Sequence, residues 1–368
     1  MIPGRATAEG TLRFSQSLSA ANGHWRQDLG VTLSSVGMGT YLGRWDDATD
    51  AQVSAAVRRV MGRGVNVIDS AINYRFQRAE RSLGRGIREA IEAGEIARDQ
   101  ILVCTKGGYL SFENEPAPDP AAWFEQTFVE SGIATFDDLV DDSHCMTPGY
   151  LRHQIDRSRA NFGLETLDVY YVHNPEGQLP QVGEKEFYRR LTAAFAELEK
   201  AAGEGKIGVY GVATWNGFRQ IQGPDRLSLE LVAGCAREAG GEKHRFRVVQ
   251  LPLNLGMPEA LLVPTQELQG KAQPFLMAAQ SLGVTVFTSV PLLQGQLLGR
   301  LPEPVRRKFP GLATDAARAI QFARSAPGVT APLVGMKTPA HVDEDLAVVA
   351  VPPLTQAQFA AVLRPHEA

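Results

Sequence analysis

The chain is an alternation of short apolar segments and amphipathic ones. Eight apolar runs stand near residues 33–37, 65–68, 101–105, 167–172, 207–212, 247–251, 284–289 and 331–334. Between and after them, helical spacing runs over residues 50–63, 79–93, 148–162, 185–202, 227–240, 271–282, 314–324 and 340–347, with a last segment at 355–363. Strands this short and apolar need cover on both faces, which a parallel sheet ringed by helices supplies. The expected fold is α/β: a (β/α)8 TIM barrel forming one domain over residues 1–368. Barrels of this kind commonly exceed about 200 residues, so the length suits one. An open doubly wound sheet is the alternative. Its usual first-turn G-x-G-x-x-G is incomplete here, because Val36-Gly37-Met38-Gly39-Thr40 has no third glycine.

Two stretches fall outside the alternation. Residues 1–30 read as a cap on the barrel, a β-hairpin with strands at 11–15 and 24–28 and a turn at 20–23. Residues 109–147 form a long insertion after the third strand. It holds Pro116, Pro118 and Pro120, the aromatics Trp123, Phe124 and Phe128, and an acidic run at 137–142. An irregular stretch of that length in a compact domain is typically a functional lid, and its aromatics predict an ordered one over the pocket.

Charge narrows the partners. The net charge is −4 with no long runs of one sign, which speaks against nucleic acid or an anionic membrane. No apolar run is long enough to span a bilayer. The first residues lack an apolar signal region, so a cytoplasmic location is expected. Cys104, Cys145 and Cys235 are far apart and in no CxxC spacing, which supports neither a disulfide framework nor a zinc site. A small-molecule ligand is the expected partner.

In a barrel the C-terminal strand ends share one face, and side chains there enter one pocket. Asp69 ends the second strand, Lys106 the third and His173 the fourth, and Tyr74 lies in the loop after Asp69. Each has a bland reading alone: Asp69 as a cap, Tyr74 as a half-buried aromatic, Lys106 as a surface charge, His173 as a core histidine. On consecutive strand ends the four make a site. An ammonium beside a phenol favours the phenolate, which predicts a Tyr74 pKa below the free value of about 10. Lys106 supplies that charge, Asp69 keeps the lysine charged and aimed, and Tyr74 is the acid or base. His173 hydrogen-bonds a substrate oxygen or shuttles the proton. An acid over a carbonyl oxygen is what hydride transfer to carbon needs, with a nicotinamide cofactor as the source. No further histidine or carboxylate joins them at the strand ends, so no metal site is expected.

The same residues resemble the aldo-keto reductase family over about residues 29–351. The motifs are Val36-Gly37-Met38-Gly39-Thr40, the block from Asp69 to Tyr74, Thr105-Lys106-Gly107, Asp168-Val169-Tyr170-Tyr171-Val172-His173, Gly205-Lys206-Ile207, Gly208-Val209-Tyr210-Gly211-Val212 and Gln250. The resemblance implies a catalytic tetrad of Asp69, Tyr74, Lys106 and His173, with Tyr74 as proton donor. It implies NADP(H), with NAD(H) as the alternative, extended across the barrel mouth without a Rossmann fold. It places Gln250 and Thr214 at the nicotinamide amide, with Ala213 where a serine is usual. Ser289 stands where many members stack a tyrosine on the nicotinamide ring. Leu292 and Gly295 belong to the 291–299 loop around the pyrophosphate. Gly335, Lys337 and His341 fall near the adenosine 2′-phosphate, and Asp345 near the adenine amine. Tyr41 and Trp45 after the first strand, Asn174 after His173, and Trp123 of the insertion are the expected substrate contacts.

The function expected is an NADP(H)-dependent oxidoreductase that interconverts an aldehyde or ketone and its alcohol. Two alternatives stand beside it: a catalytically weak cofactor-binding barrel used as a sensor or partner subunit, and a barrel whose Tyr74 and Lys106 only move a proton.

Overall fold

Eight parallel strands close on themselves in the computed structural model, which describes residues 1–364. They are β1 Gly37–Gly39, β2 Val67–Asp69, β3 Leu102–Gly107, β4 Leu167–His173, β5 Ile207–Ala213, β6 Phe246–Pro252, β7 Thr285–Ser289 and β8 Ala331–Gly335. Each pairs with its neighbour in sequence. β8 returns to β1 through Leu333 opposite Gly37, so the sheet has no edge and the open doubly wound alternative falls away. Helices cover the outside, among them Asp47–Met61, Arg78–Glu92, Pro148–Phe162 and Glu184–Gly203. Asp46 caps the first of these, its Oδ1 accepting from Thr49 N at 2.8 Å.

Strand parity sets what faces inward. Successive side chains on a strand point to opposite faces. Val67, Leu102, Cys104, Val169, Tyr171, Val248, Phe287 and Leu333 pack together inside the barrel. Ile68, Val103, Tyr170, Val172, Val249 and Val334 pack outward with the helices. Asp69 shares the parity of Val67, Lys106 that of Cys104, His173 that of Tyr171 and Gln250 that of Val248. All four therefore point inward at the C-terminal end. Register aligns them, with Asp69 opposite Cys104, Lys106 opposite Tyr171 and His173 opposite Ala213.

The N-terminal cap contains a hairpin, but not at the expected residues. Residues 11–15 are helical, within Ala8–Ser17, where Thr7 Oγ1 accepts from Gly10 N at 2.9 Å and Phe14 is buried. The hairpin pairs Trp25–Asp28 with Val31–Ser34 through a two-residue turn, Leu29 and Gly30, both at positive φ (51° and 74°). That turn type matches the twist of the strands it joins. The run expected as the first barrel strand is thus divided. Val31 and Leu33 plug the bottom of the barrel, and a bend in which Ser34 Oγ donates to Val36 O at 2.7 Å leads into β1. A second departure lies at 271–282. Only Phe275–Ser281 is helical, and Lys271–Gln273 pairs with Gln266–Leu268 around Gln269 and Gly270.

The insertion packs a core of its own against the barrel. Short helical turns at Pro120–Phe124 and Glu125–Val129 build a small apolar cluster of Phe124, Phe128 and Cys145 on Tyr150 of the next barrel helix. Among the described residues no helix is long and apolar enough to cross a membrane.

Candidate active site

Lys106, 1% exposed, sits where three strands converge. Its Nζ donates to Asp69 Oδ1 at 2.5 Å and to Ser70 O at 2.7 Å, and lies 5.0 Å from the centre of the Tyr74 ring. The other carboxylate oxygen of Asp69 accepts from Gln250 Nε2 at 3.0 Å. Burial drives the Asp69 carboxyl pKa up, against the opposing pull of Lys106 and Gln250. Burial also works to lower the Lys106 ammonium, but Asp69 and Tyr74 reverse it, and its pKa is raised. The lysine stays charged because a carboxylate is held against it in a dry site.

Tyr74 departs from the expectation set by its charged neighbour. Burial raises its phenol pKa, and Lys106 offsets only part of the rise. Desolvation outweighs the ammonium, so the group stands as a neutral phenol. Its ring meets Tyr41 edge-on at 5.0 Å and His173 at 5.8 Å. Burial, with Lys106 nearby, pushes the His173 pKa well below the usual imidazole value, so the ring is neutral. Its Nδ1 is buried without a protein partner.

These residues open into a cavity of about 510 Å³ at the barrel mouth. Tyr41, Asn174, Thr214, Gln250 and Ser289 line it, together with Leu292, Gly295 and Gly335. Thr214 Oγ1 is buried and unpartnered. Further along the loop that follows β7 lies a hollow of about 270 Å³, with Leu298, Gly299, Arg306, Arg318 and Glu344 in its walls. Lys337 is half-buried, His341 is exposed, and Asp345 is buried with its carboxyl raised to about 7, by burial and then by Glu344.

Two expected contacts lie elsewhere. Trp45 is 53% exposed and packs edge-on against Phe76, outside the cavity lining. Trp123 packs between Phe112 and Phe128 and is not among the residues that line the cavity. What the insertion does bring to the site is Tyr109 and His144. Tyr109 lines the cavity, its ring 5.1 Å from that of His173, and its hydroxyl accepts from Asn174 Nδ2 at 3.3 Å. His144 Nε2 bonds the His173 carbonyl at 2.7 Å, and Gln178 Nε2 lies 2.9 Å from its Nδ1. Sequence reasoning overlooked both, although Tyr109 follows Lys106-Gly107-Gly108 directly. Nothing periodic marks His144. Leu42, Asn73 and Val290 also line the cavity unannounced.

Comparison with known proteins accords with this geometry. The family model described as "Aldo/keto reductase family" matches residues 35–234, more than half of the chain. The chain is 25% identical over 189 residues to a D-threo-aldose 1-dehydrogenase from a Pseudomonas species, covering 50% of this chain and 51% of that protein. It is 24% identical over 190 residues to an NADH-specific methylglyoxal reductase of Escherichia coli (strain K12), covering 50% and 49%. The matched part thus spans about half the length of these curated relatives. In three dimensions it resembles an aldo-keto reductase from Klebsiella pneumoniae solved in complex with NADPH, with a TM-score of 0.63, 18% identity, and 93% and 94% of the two chains covered. With the closed barrel and the four side chains at its mouth, these matches lead to one conclusion: the chain belongs to the aldo/keto reductase family.

Proposed function

We propose that this protein is an NADP(H)-dependent carbonyl reductase, running in reverse as an alcohol dehydrogenase, with Tyr74 as proton donor and acceptor. The observation that carries the reading is the Tyr74 ring set 5.0 Å from a Lys106 ammonium that Asp69 holds at 2.5 Å, at the mouth of the cavity.

The cavity fits a nicotinamide dinucleotide. Thr214 Oγ1 lacks a protein partner, and Gln250 and Ser289 stand beside it. Gly335 has nothing within 4 Å of where a Cβ would stand, so a bulky group can pass against its backbone. Thr214, Gln250 and Ser289 would hold the nicotinamide end, and Leu292 and Gly295 the pyrophosphate. When bound, such a cofactor supplies the hydride for the carbonyl carbon.

The protein's own part is to manage a proton and a charge. Tyr74 donates its proton to the carbonyl oxygen as the alkoxide forms. The Lys106 ammonium spends two donors on Asp69 and Ser70, and its positive charge stabilises the phenolate left behind. Neutral His173 orients the carbonyl by a hydrogen bond rather than by charge. Because the Tyr74 pKa is raised, the phenol keeps its proton through neutral pH, and carbonyl reduction loses no activity there from this group. Tyr41, Tyr109 and Asn174 contact the substrate, and the insertion serves as a side wall.

Lys337 favours a 2′-phosphate. Glu344, in the wall of the adjoining hollow, opposes it, which keeps NAD(H) as the alternative. Lys337→Ala should weaken NADPH roughly tenfold, the scale of one charge-assisted hydrogen bond, and leave NADH unchanged. Equal losses for both would remove Lys337 from cofactor selection.

Fluorescence titration and steady-state kinetics test the whole reading. Tyr74→Phe should keep dinucleotide affinity and lower reduction of a simple aldehyde by roughly two orders of magnitude. Retained turnover would take Tyr74 out of the mechanism. Absence of any NADPH or NADH effect on fluorescence or melting would sink the redox reading.

A further inference from the structure

The short turn after β4, Pro175–Gln178, is tied to more than one wall of the cavity. Asn174 before it reaches Tyr109, Gln178 reaches His144, and Glu176 reaches across to the segment after β5. Glu176 is 3% exposed. Its Oε1 accepts from Trp215 N at 2.5 Å and Asn216 N at 3.2 Å. Gly217 packs beside it, so that a Cβ there would stand 3.4 Å from Glu176 Cβ. Its Oε2 is buried with no partner. β5 has ended at Ala213, so the sheet no longer serves these backbone donors, and a buried N–H needs an acceptor. The segment they belong to carries Thr214 and Trp215, both in the cavity wall.

We propose that Glu176 is a positioning residue that clamps residues 214–217 against the His173 turn, tight when its carboxyl is ionised and slack when it is protonated. An ionised acceptor makes hydrogen bonds roughly twice as strong as a neutral one. Burial raises the Glu176 pKa to about 7, while the backbone N–H groups of Trp215, Gly217 and Asn216 pull it down. The proton is therefore gained and lost near neutrality. From the insertion, the Tyr109 phenol has its pKa raised, first by burial and in part by Glu176. His144, behind Gln178, is lowered by burial to about 4. Neither changes charge near pH 7. In the clamped loop, Arg219 is held by Glu259 and the Trp215 carbonyl, both at 2.8 Å. Asp225 accepts from Asn216 Nδ2 at 3.1 Å. Behind the turn, Arg190 lies against Gln178 and Glu186.

Linkage gives a second signature. The folded carboxyl ionises at about 7 and the ordinary one at 4.5. Between those values the native state holds the proton that the unfolded chain has released, so Glu176 costs stability as pH rises through that window.

The inference rests on the cofactor reading only for its affinity arm, and the other two arms use the protein without ligand. Trp215 emission, isolated by difference against Trp215→Phe, should titrate with a midpoint near pH 7 in the natural protein and stay flat in Glu176→Gln. Glu176→Gln should melt higher than the natural protein at about pH 8 and gain little at about pH 5. Glu176→Ala, which removes the acceptor, should weaken NADPH binding roughly tenfold, and Glu176→Gln, which keeps it, by less than about threefold. A titration that persists in Glu176→Gln, a flat natural protein between about pH 5.5 and 8.5, a melting gain with no pH dependence, or unchanged affinity in Glu176→Ala would each overturn the clamp. Should no dinucleotide bind any variant, the cofactor reading fails, while fluorescence and melting still judge Glu176.

Discussion

Asp69 and Lys106 are held against each other in a dry site, Nζ to Oδ1 at 2.5 Å. With side chains 4% and 1% exposed, they form an ion pair that is stable only as a pair. Removing one partner strands a charge in a dry interior, at a cost of about 3–5 kcal/mol. Lys106→Met and Asp69→Asn should each show that loss in urea unfolding, together with lost turnover. The double variant should recover much of the stability and none of the activity. Recovery of turnover in it would contradict the tuning role. The placement of Asp69, Lys106 and His173 was legible in the sequence, because each stands at a strand end where parity aims it, and Tyr74 follows in the loop after the first of them. The protonation of Tyr74 was not. Residue order tells which charges are near, whereas the balance between an ammonium and burial depends on how completely the loops exclude water.

Among the elements, the loop after β7 carries strain at a β-branched residue. Val290 enters it at a φ of 47°, a region a β-branched residue rarely adopts. Buried Asn254 holds the Val290 carbonyl from Nδ2 at 3.0 Å. A backbone of this kind stores about 1–3 kcal/mol and persists where the surroundings impose it, most often at functional sites. Val290→Gly should raise thermal stability and weaken dinucleotide binding. If both rise together, the strain serves no ligand. Turns explain the misread elements. Leu29-Gly30 and Gln269-Gly270 each reverse the chain within two residues. Their first members, leucine and glutamine, carry no turn signature, so one hairpin was displaced and the other hidden in a helix. Trp123 misled for another reason: an aromatic cluster announces packing without saying against what.

At the scale of the molecule, the barrel is closed at one end and open at the other. Val31 and Leu33 fill the closed end, with Leu33 fully buried. Leu33→Ala should cost about 2–5 kcal/mol, as for other large-to-small core changes, and leave the kinetics of the native fraction unaltered. A change in substrate KM there would mean that the plug communicates with the mouth. Eight repeats of one pattern made the barrel readable, since an error in any single element left the count intact. The cavity's outline was less readable, because Tyr41, Tyr109 and Asn174 reach it from irregular backbone, where no periodicity fixes direction.

The alternation of strand side chains has one further consequence. Asp69, Lys106, His173 and Gln250 take their aim from the hydrogen-bonded ladder, while Tyr41, Tyr109, Asn174 and Trp215 take theirs from connecting segments. A single residue inserted within β2, β3 or β4 would rotate Asp69, Lys106 or His173 out among the helices and should abolish turnover. The same insertion between Phe112 and Asp138 would be absorbed on the outer wall. A barrel built this way can vary the wall of its cavity while the ladder keeps the strand-end side chains in place.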